Sequence, residues 1–117
     1  MSDGIPSRPE KRKYTRLDVE LPVRLEHNGK EIESTTENIS CGGMFLPIFN
    51  EAVRADENLT AFISMPEGSR VVKLAAKICR VNTNLQGNVS GVAVQFSGLY
   101  DDNHLEIDRY IKWKLLN

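Results

Sequence analysis

The sequence predicts an all-β protein, a six-stranded antiparallel β-barrel followed by a C-terminal α-helix. Short apolar runs alternate with polar residues at period two, as in half-buried strands. Turn residues separate these runs at short intervals. Near the end of the chain the apolar residues change to helical spacing. Short antiparallel strands joined by tight turns favour a closed or nearly closed barrel, and we expect the helix to cover an open end or side of it.

The size and composition fit a single domain. The chain has 117 residues, of which 40% are hydrophobic and 26% charged, enough for one core. Residues 1–10 are polar and lack periodicity, so we expect a flexible tail followed by a barrel domain at 11–117, with its helix at about 100–116. The net charge is −1, which disfavours general nucleic-acid binding.

The first hairpin has the clearest local signals. Val19–Leu25 alternates in polarity and predicts a strand, in which Pro22 must lie at an edge or a bulge because it has no N–H to donate. Asn28-Gly29 predicts a type I′ turn. Glu31–Thr36 is then the return strand. The remaining strands are predicted at Met44–Ile48, Leu59–Met65, Val71–Val81 and Gly91–Phe96.

The last helix is predicted from its caps and its apolar stripe. Asp101, Asp102 and Asn103 are good N-cap residues, and the two carboxylates suit the positive end of a helix. Trp113 lies off the stripe and is expected to pack on the barrel. The stripe itself consists of Ile107, Tyr110, Ile111 and Leu115.

Enzyme chemistry is not indicated. Cys41 and Cys79 are far apart and lack metal-ligand spacing, so two free thiols are expected. His27 and His104 are expected to be ordinary surface or capping residues. We therefore predict no catalytic residues, no metal and no cofactor. The start of the chain does not resemble a signal peptide and no run has transmembrane length, which favours a cytoplasmic protein without membrane insertion.

The corner Glu37–Gly43 is the first candidate for a binding site. Asn38 and Ser40 have short side chains that bond to nearby backbone and favour turns. Gly42 and Gly43 leave room above the backbone and can take positive φ. Successive amides in such a corner can form a nest for an anion. A turn of this kind without a ligand is also a common strand connection.

A basic leader precedes the first strand and is the second candidate. Arg12 and Arg16 are four residues apart, about 13 Å in an extended chain at roughly 3.3 Å per residue. A guanidinium group fits phosphate oxygens and the guanine O6/N7 edge. The alternative is a solvated charged tail. We expect the leader and the corner to converge on one doubly charged nucleotide.

Taken together, the two motifs resemble the signature of the PilZ domain, a bacterial receptor for the second messenger cyclic di-GMP. Arg-x-x-x-Arg before the first strand is Arg12 and Arg16, and Asn-x-Ser-x-x-Gly after the first hairpin is Asn38, Ser40 and Gly43. The Leu-Pro-Val-Arg-Leu and Gly-Val-Ala-Val-Gln-Phe runs extend the likeness over roughly residues 11–110. The resemblance implies a split-barrel fold of six antiparallel strands with a terminal helix.

The resemblance also implies roles for individual residues. Arg12 and Arg16 would hold phosphates and guanine, Asn38 and Ser40 would contact guanine and nearby groups, and Gly43 would let the backbone come close. A basic residue at the position of Lys11 is associated in the family with a stacked pair of ligand molecules. The neighbours expected around the site are Lys11, Lys13, Cys41 and Gly42.

The function expected from this reading is a cyclic di-GMP receptor or adaptor. Ligand binding would change the N-terminal segment and so regulate an unidentified downstream protein in motility, exopolysaccharide synthesis, biofilm formation or virulence. The alternative is a β-barrel interaction adaptor that binds no nucleotide. A barrel for single-stranded nucleic acid ranks last, because Tyr14 alone is interleaved with the basic run.

Overall fold

The computed structural model describes residues 15–48, 53–66, 70–97 and 102–116. It confirms the mostly β fold with a C-terminal helix, although the described residues form seven strands where six were predicted. The strands are β1 (Pro22–His27), β2 (Lys30–Thr35), β3 (Asn38–Ile39), β4 (Gly43–Leu46), β5 (Asn58–Ser64), β6 (Val71–Thr83) and β7 (Val89–Phe96), and the helix is α1 (Asp102–Leu116).

The additional strand, β3, lies inside the predicted corner. Its Ile39 is fully buried and pairs with Met44 of β4, while the preceding Asn38 pairs with Phe45. Leu17 forms an isolated bridge to Ile39 on the other side. One buried isoleucine between two polar residues is too short a pattern to show period two, which is why the sequence indicated a turn throughout.

The seven strands form one antiparallel sheet in the order β2-β1-β5-β6-β7-β4-β3. The sheet curls into a split barrel, and the two edge strands are linked near Thr36, where the chain passes from β2 to β3. The Thr36 amide donates to the Leu21 carbonyl at 2.9 Å, and its hydroxyl bonds to backbone groups of Val19 and Leu21. These Thr36 contacts therefore hold together the seam between the edge strands β2 and β3, which no strand ladder closes.

The first hairpin forms as predicted. Asn28 and Gly29 both have positive φ, at 53° and 76°, as the type I′ turn requires. Pro22 is the first residue of β1, a strand position where a missing N–H is tolerated.

The core fills the concave side of the sheet, and α1 covers it. Ile107, Tyr110 and Ile111 pack into the same cluster as the inward side chains of the strands. The predicted stripe is wrong at its end, because Leu115 is 57% exposed. Burial stops at Ile111, and the last turn of the helix extends past the core. Trp113 is 46% exposed, so the sheet covers it less than expected.

The histidines are more buried than predicted. His27 and His104 retain only 4% and 5% of their exposure, so they are not surface residues. His27 forms a 2.8 Å hydrogen bond through Nε2 with Glu57, which satisfies its polar ring. Both cysteines are free, as expected, with Cys41 buried and Cys79 exposed. Within the described ranges no helix combines the length and hydrophobicity needed to span a membrane.

Candidate functional site

The corner between β3 and β4 is held by the Ser40 side chain. Its hydroxyl oxygen accepts from the amides of Gly42 and Gly43 at 3.1 and 3.2 Å, and the Ser40 amide donates to the Gly43 carbonyl at 2.8 Å. The amides of both glycines are thus engaged inside the turn, so they do not form the anion nest that the sequence suggested. Ser40 supports the turn and also lines the cavity described below.

Gly43 is required by packing and not by backbone strain. Neither Gly42 nor Gly43 is among the described glycines with positive φ. A Cβ at Gly43 would collide with the carbonyl oxygen of Val94 on β7. Gly43 therefore allows β4 to approach β7 closely at this end of the sheet.

Four of the predicted site residues line one cavity of about 360 Å³: Arg16, Asn38, Ser40 and Gly43. The leader reaches the corner through Leu17, whose amide and carbonyl exchange hydrogen bonds with Ile39 at 2.8 and 2.9 Å. This bridge places Arg16 beside the strand that carries Asn38. Arg16 of the leader and the polar groups of the corner therefore line the same cavity.

The floor of the cavity is a row of paired residues that crosses four strands. Asn38 of β3 pairs with Phe45 of β4, Phe45 with Ala93 of β7, and Ala93 with Arg80 of β6. Directly paired residues share a face of the sheet, and adjacent strands lie about 4.8 Å apart, so the row spans roughly 14 Å. An extended ligand with groups at both ends fits a floor of this length.

Arg80 is a cavity residue that the sequence prediction missed. Strict alternation along β6 from Val72 to Ile78 would point residue 80 into the core. Instead the register shifts between Ile78 and Arg80, and both Cys79 and Arg80 are exposed. A β-bulge at Cys79 turns the guanidinium to the outer face. A charged residue at an inward position was the available signal, because burying an arginine there would be costly.

The cavity is positively charged. None of the described residues that line it is acidic, while Arg16 and Arg80 are both exposed there. Arg80 Nε donates to Asn82 Oδ1 at 3.0 Å, which orients one end of its guanidinium group. Asn82 is the second polar lining residue that was not predicted. The arrangement suits an anion with groups that accept hydrogen bonds.

The other predicted residues divide into two groups. Lys11, Arg12 and Lys13 lie outside the described residues. Cys41 and Gly42 are described but are not among the residues that line the cavity. Cys41 is 4% exposed, and its Sγ faces the His104 carbonyl of α1 at 3.7 Å, so it packs under the corner. Its thiol fills a small buried space beside the helix.

Several solved structures share this fold. The Bacillus subtilis inhibitor of motility MotI/DgrA has a TM-score of 0.78 and 22% identity, with 96% of this chain and 56% of that chain covered. The PilZ domain of Escherichia coli YcgR with c-di-GMP has a TM-score of 0.72 and 11% identity, covering 91% of this chain and 92% of that chain. The K. pneumonia MrkH–c-di-GMP complex has a TM-score of 0.75 and 19% identity, covering 90% of this chain and 52% of that one.

The chain thus corresponds to 56% of the length of MotI/DgrA and 52% of MrkH, but to nearly the whole YcgR domain. No curated protein matches the sequence significantly. The sequence profile of the PilZ domain matches residues 10–113, which is most of the chain. That match includes the leader, the corner and the helix. On this match and on the split-barrel fold, the chain belongs to the PilZ domain family.

Proposed function

We propose that this protein is a receptor for cyclic di-GMP. The observation that carries the proposal is the single cavity lined by Arg16, Asn38, Ser40 and Gly43. These residues come from two motifs separated by a whole hairpin, and the fold brings them together on an outer face of the sheet. The YcgR and MrkH structures are complexes with the same nucleotide, which supports the assignment.

The cavity chemistry suits both parts of the ligand. Arg16 and Arg80 supply the positive charge for phosphate oxygens, and each guanidinium can also address the O6/N7 edge of guanine. Asn38 is both a donor and an acceptor toward a guanine edge. Phe45 lies on the floor with its ring over Gly91, where a Cβ would collide with it. A base can stack on such a ring.

The magnitudes favour one shared site over two separate weak ones. Micromolar binding requires about 8 kcal/mol. A charge-assisted hydrogen bond contributes about 1.5–3 kcal/mol, and base stacking about 1–3 kcal/mol. Two arginines alone fall short once the ordering of both partners is subtracted. Arginines, corner and stacking together reach the required scale, and Arg12 of the leader is proposed as a further phosphate ligand.

The receptor is proposed to act through a downstream protein. MotI/DgrA is an inhibitor of motility, and this similarity favours motility among the processes considered, with exopolysaccharide, biofilm and virulence as the other candidates. We place the protein in the bacterial cytoplasm, where the messenger is made. Catalysis is not part of the proposal: the Ser40 hydroxyl accepts hydrogen bonds from two amides of its own turn, and the described lining residues include no histidine, lysine or carboxylate that could activate it.

Isothermal titration calorimetry with cyclic di-GMP tests the proposal. We expect saturable binding by the parent protein, with no comparable heat from GTP or cyclic GMP. Arg16→Ala should weaken binding by about tenfold or more, since one lost charge-assisted contact is worth about 1.5–3 kcal/mol. Arg80→Ala should weaken it in the same direction. Arg109→Ala, in the middle of α1 and 75% exposed, lies outside the cavity lining, is the matched control and should bind as the parent does.

Two results would contradict the assignment. Absence of heat from the folded parent protein would favour the alternative, an adaptor that binds no nucleotide. Equal affinity in Arg16→Ala and Arg109→Ala would show that the ligand binds elsewhere.

A further inference from the structure

The acidic residues of the sheet and the basic residues of β6 lie on different strands. The central strands β5, β6 and β7 contain no aspartate or glutamate, while β6 carries Lys73, Lys77 and Arg80. The acidic residues of the sheet lie on the β1–β2 hairpin: Glu26, Glu31 and Glu33. A chain with net charge −1 therefore presents a basic strip along one strand.

The two lysines of this strip make no ion pair with the part of the chain that the structure describes. Lys73 and Lys77 are exposed, and neither forms an ion pair within the described ranges. Their cross-strand neighbours are uncharged: Lys73 pairs with Phe62, and Lys77 pairs with Asn58 and Gln95. Four residues apart on one strand, the lysines lie about 13 Å from each other at roughly 3.3 Å per residue. Their positive charge is available to a partner.

An apolar centre lies beside the lysines. The Arg24 guanidinium stacks 4.0 Å from the Phe62 ring centroid, and Lys73 Nζ lies 5.7 Å from the same centroid. Val71, the outward residue of β6 that pairs with Ser64, is 56% exposed. A shallow cavity of about 310 Å³ is lined by Phe62, Val71 and Arg24 together with their neighbours. Arginine held flat on an aromatic ring, with an exposed valine beside it, is the composition of a protein interface centre.

The charge around this centre favours a protein over a nucleic acid. Arg24 is held by Glu26 at 2.9 Å and Glu31 at 3.0 Å, so its charge is largely offset. Glu33 pairs with Arg24 across the strands but makes no ion pair in the described structure. A polyphosphate crossing this face would be repelled by the hairpin. A protein can place carboxylates over β6 and neutral or basic groups over β1 and β2.

We propose that the outer face of β5 and β6 is a docking surface for an acidic segment of a partner protein. Lys73 and Lys77 bind carboxylates of that segment, and Phe62 and Val71 bury its apolar side chains. The surface adjoins the nucleotide cavity, since Gln95 pairs with Lys77 on one side and with Gly43 on the other. Docking does not require nucleotide, so the inference stands apart from the proposed receptor function.

Chemical-shift titration of the isotopically labelled full chain tests this surface. The probe is a synthetic peptide of glutamates interspersed with leucines, compared with the peptide in which glutamine replaces glutamate and with single-stranded DNA of equal charge. We expect saturable shifts concentrated on β5 and β6 with the acidic peptide. Lys73→Glu combined with Lys77→Glu should weaken its affinity by about tenfold or more, because attraction becomes repulsion at two contacts. Phe62→Ala should weaken it with the charges intact.

The matched control reverses the charge of two lysines outside this surface, Lys30→Glu with Lys114→Glu, and changes the net charge by the same amount. It should bind the peptide nearly as the parent does. The spectrum of each free variant reports its folding, and Lys73→Gln with Lys77→Gln provides a milder test. The proposal is overturned if the folded Lys73/Lys77 variants bind as tightly as the parent. Tighter binding of DNA, shifts that map elsewhere, or no binding by the parent would overturn it equally.

Discussion

Thr36 shows how one hydroxyl holds the seam of the barrel. It is 1% exposed, and its Oγ1 donates to the Val19 carbonyl at 2.6 Å while accepting from the Leu21 amide at 2.9 Å. Val19 and Leu21 precede β1, so these bonds hold the segment just before β1 against the connection between β2 and β3. A buried backbone group left without a partner costs more than an average hydrogen bond gains.

Thr36→Val therefore has a definite expected cost. Valine keeps the shape of threonine but leaves both backbone groups unsatisfied, so we expect the free energy of unfolding to fall by about 1–3 kcal/mol. Urea denaturation measures this change. Thr35→Val, at the exposed neighbouring position, is the control and should stay within about 0.5 kcal/mol of the parent. Equal effects at the two positions would show that the hydroxyl does not hold the seam.

At the scale of residues, sequence reasoning located the chemistry better than its environment. Asn38, Ser40 and Gly43 were found because a short motif fixes their spacing. The structural reason for two of these residues could not be predicted. A side chain at Gly43 would collide with a carbonyl of β7, and the Ser40 hydroxyl accepts hydrogen bonds from the glycine amides. Both facts depend on which strand lies opposite, and local sequence does not carry that information.

At the scale of elements, a part-buried hydrogen bond between His27 and Glu57 joins the first hairpin to the start of β5. His27, at the end of β1, bonds to Glu57 at 2.8 Å, and Glu57 also accepts from the Arg54 amide at 3.0 Å. The hydrogen bond from His27 is the main reason that the pKa of Glu57 lies below its usual value. The carboxylate thereby holds the turn before β5 against the hairpin.

The pH dependence of this contact follows from the direction of the shift. The pKa of Glu57 is lower in the folded state than in the unfolded state. Its contribution to folding stability is therefore complete at pH values above the unfolded-state pKa and is lost as the pH falls through the folded-state pKa. We expect Glu57→Gln to be less stable than the parent at neutral pH. The difference should shrink as the solution is acidified through that range. Urea midpoints measured across a pH series check this, and a pH-independent difference would contradict it.

The elements themselves were predictable where their patterns were long. The first hairpin, the long strand β6 and the helix were all located from alternation, the Asn28-Gly29 turn and helical spacing. The two-residue strand β3 and the bulge at Cys79 were not, since each departs from a regular period for one or two residues. The bulge matters for the site because it brings Arg80 to the outer face. A residue that lines the cavity was thus missed where the regular pattern breaks.

At the scale of the whole molecule, one sheet carries two surfaces of related charge. The cavity proposed to bind cyclic di-GMP occupies the outer face of β3, β4, β7 and the bulged end of β6, and the basic strip continues along β6. The concave side is filled by the core and covered by α1. Because the inner face of the sheet is filled by the core, its outer face is the broad surface left for binding, so ligand and protein are expected to meet there on adjacent strands.

The leader offers the most direct route from ligand binding to a change of surface. Its described end is joined to the corner by the Leu17–Ile39 bridge, and Arg16 stands between that bridge and the rest of the basic segment. A ligand held by Arg16 and Asn38 therefore restrains the leader against the sheet. We expect cyclic di-GMP to increase amide-exchange protection in residues 8–16 and in the corner, while the β1–β2 hairpin serves as an internal reference. Arg16→Ala should reduce this protection at equal ligand concentration. Unchanged exchange in residues 8–16 of the saturated parent would remove the leader from the mechanism, because ordering of that segment is the proposed signal to the partner.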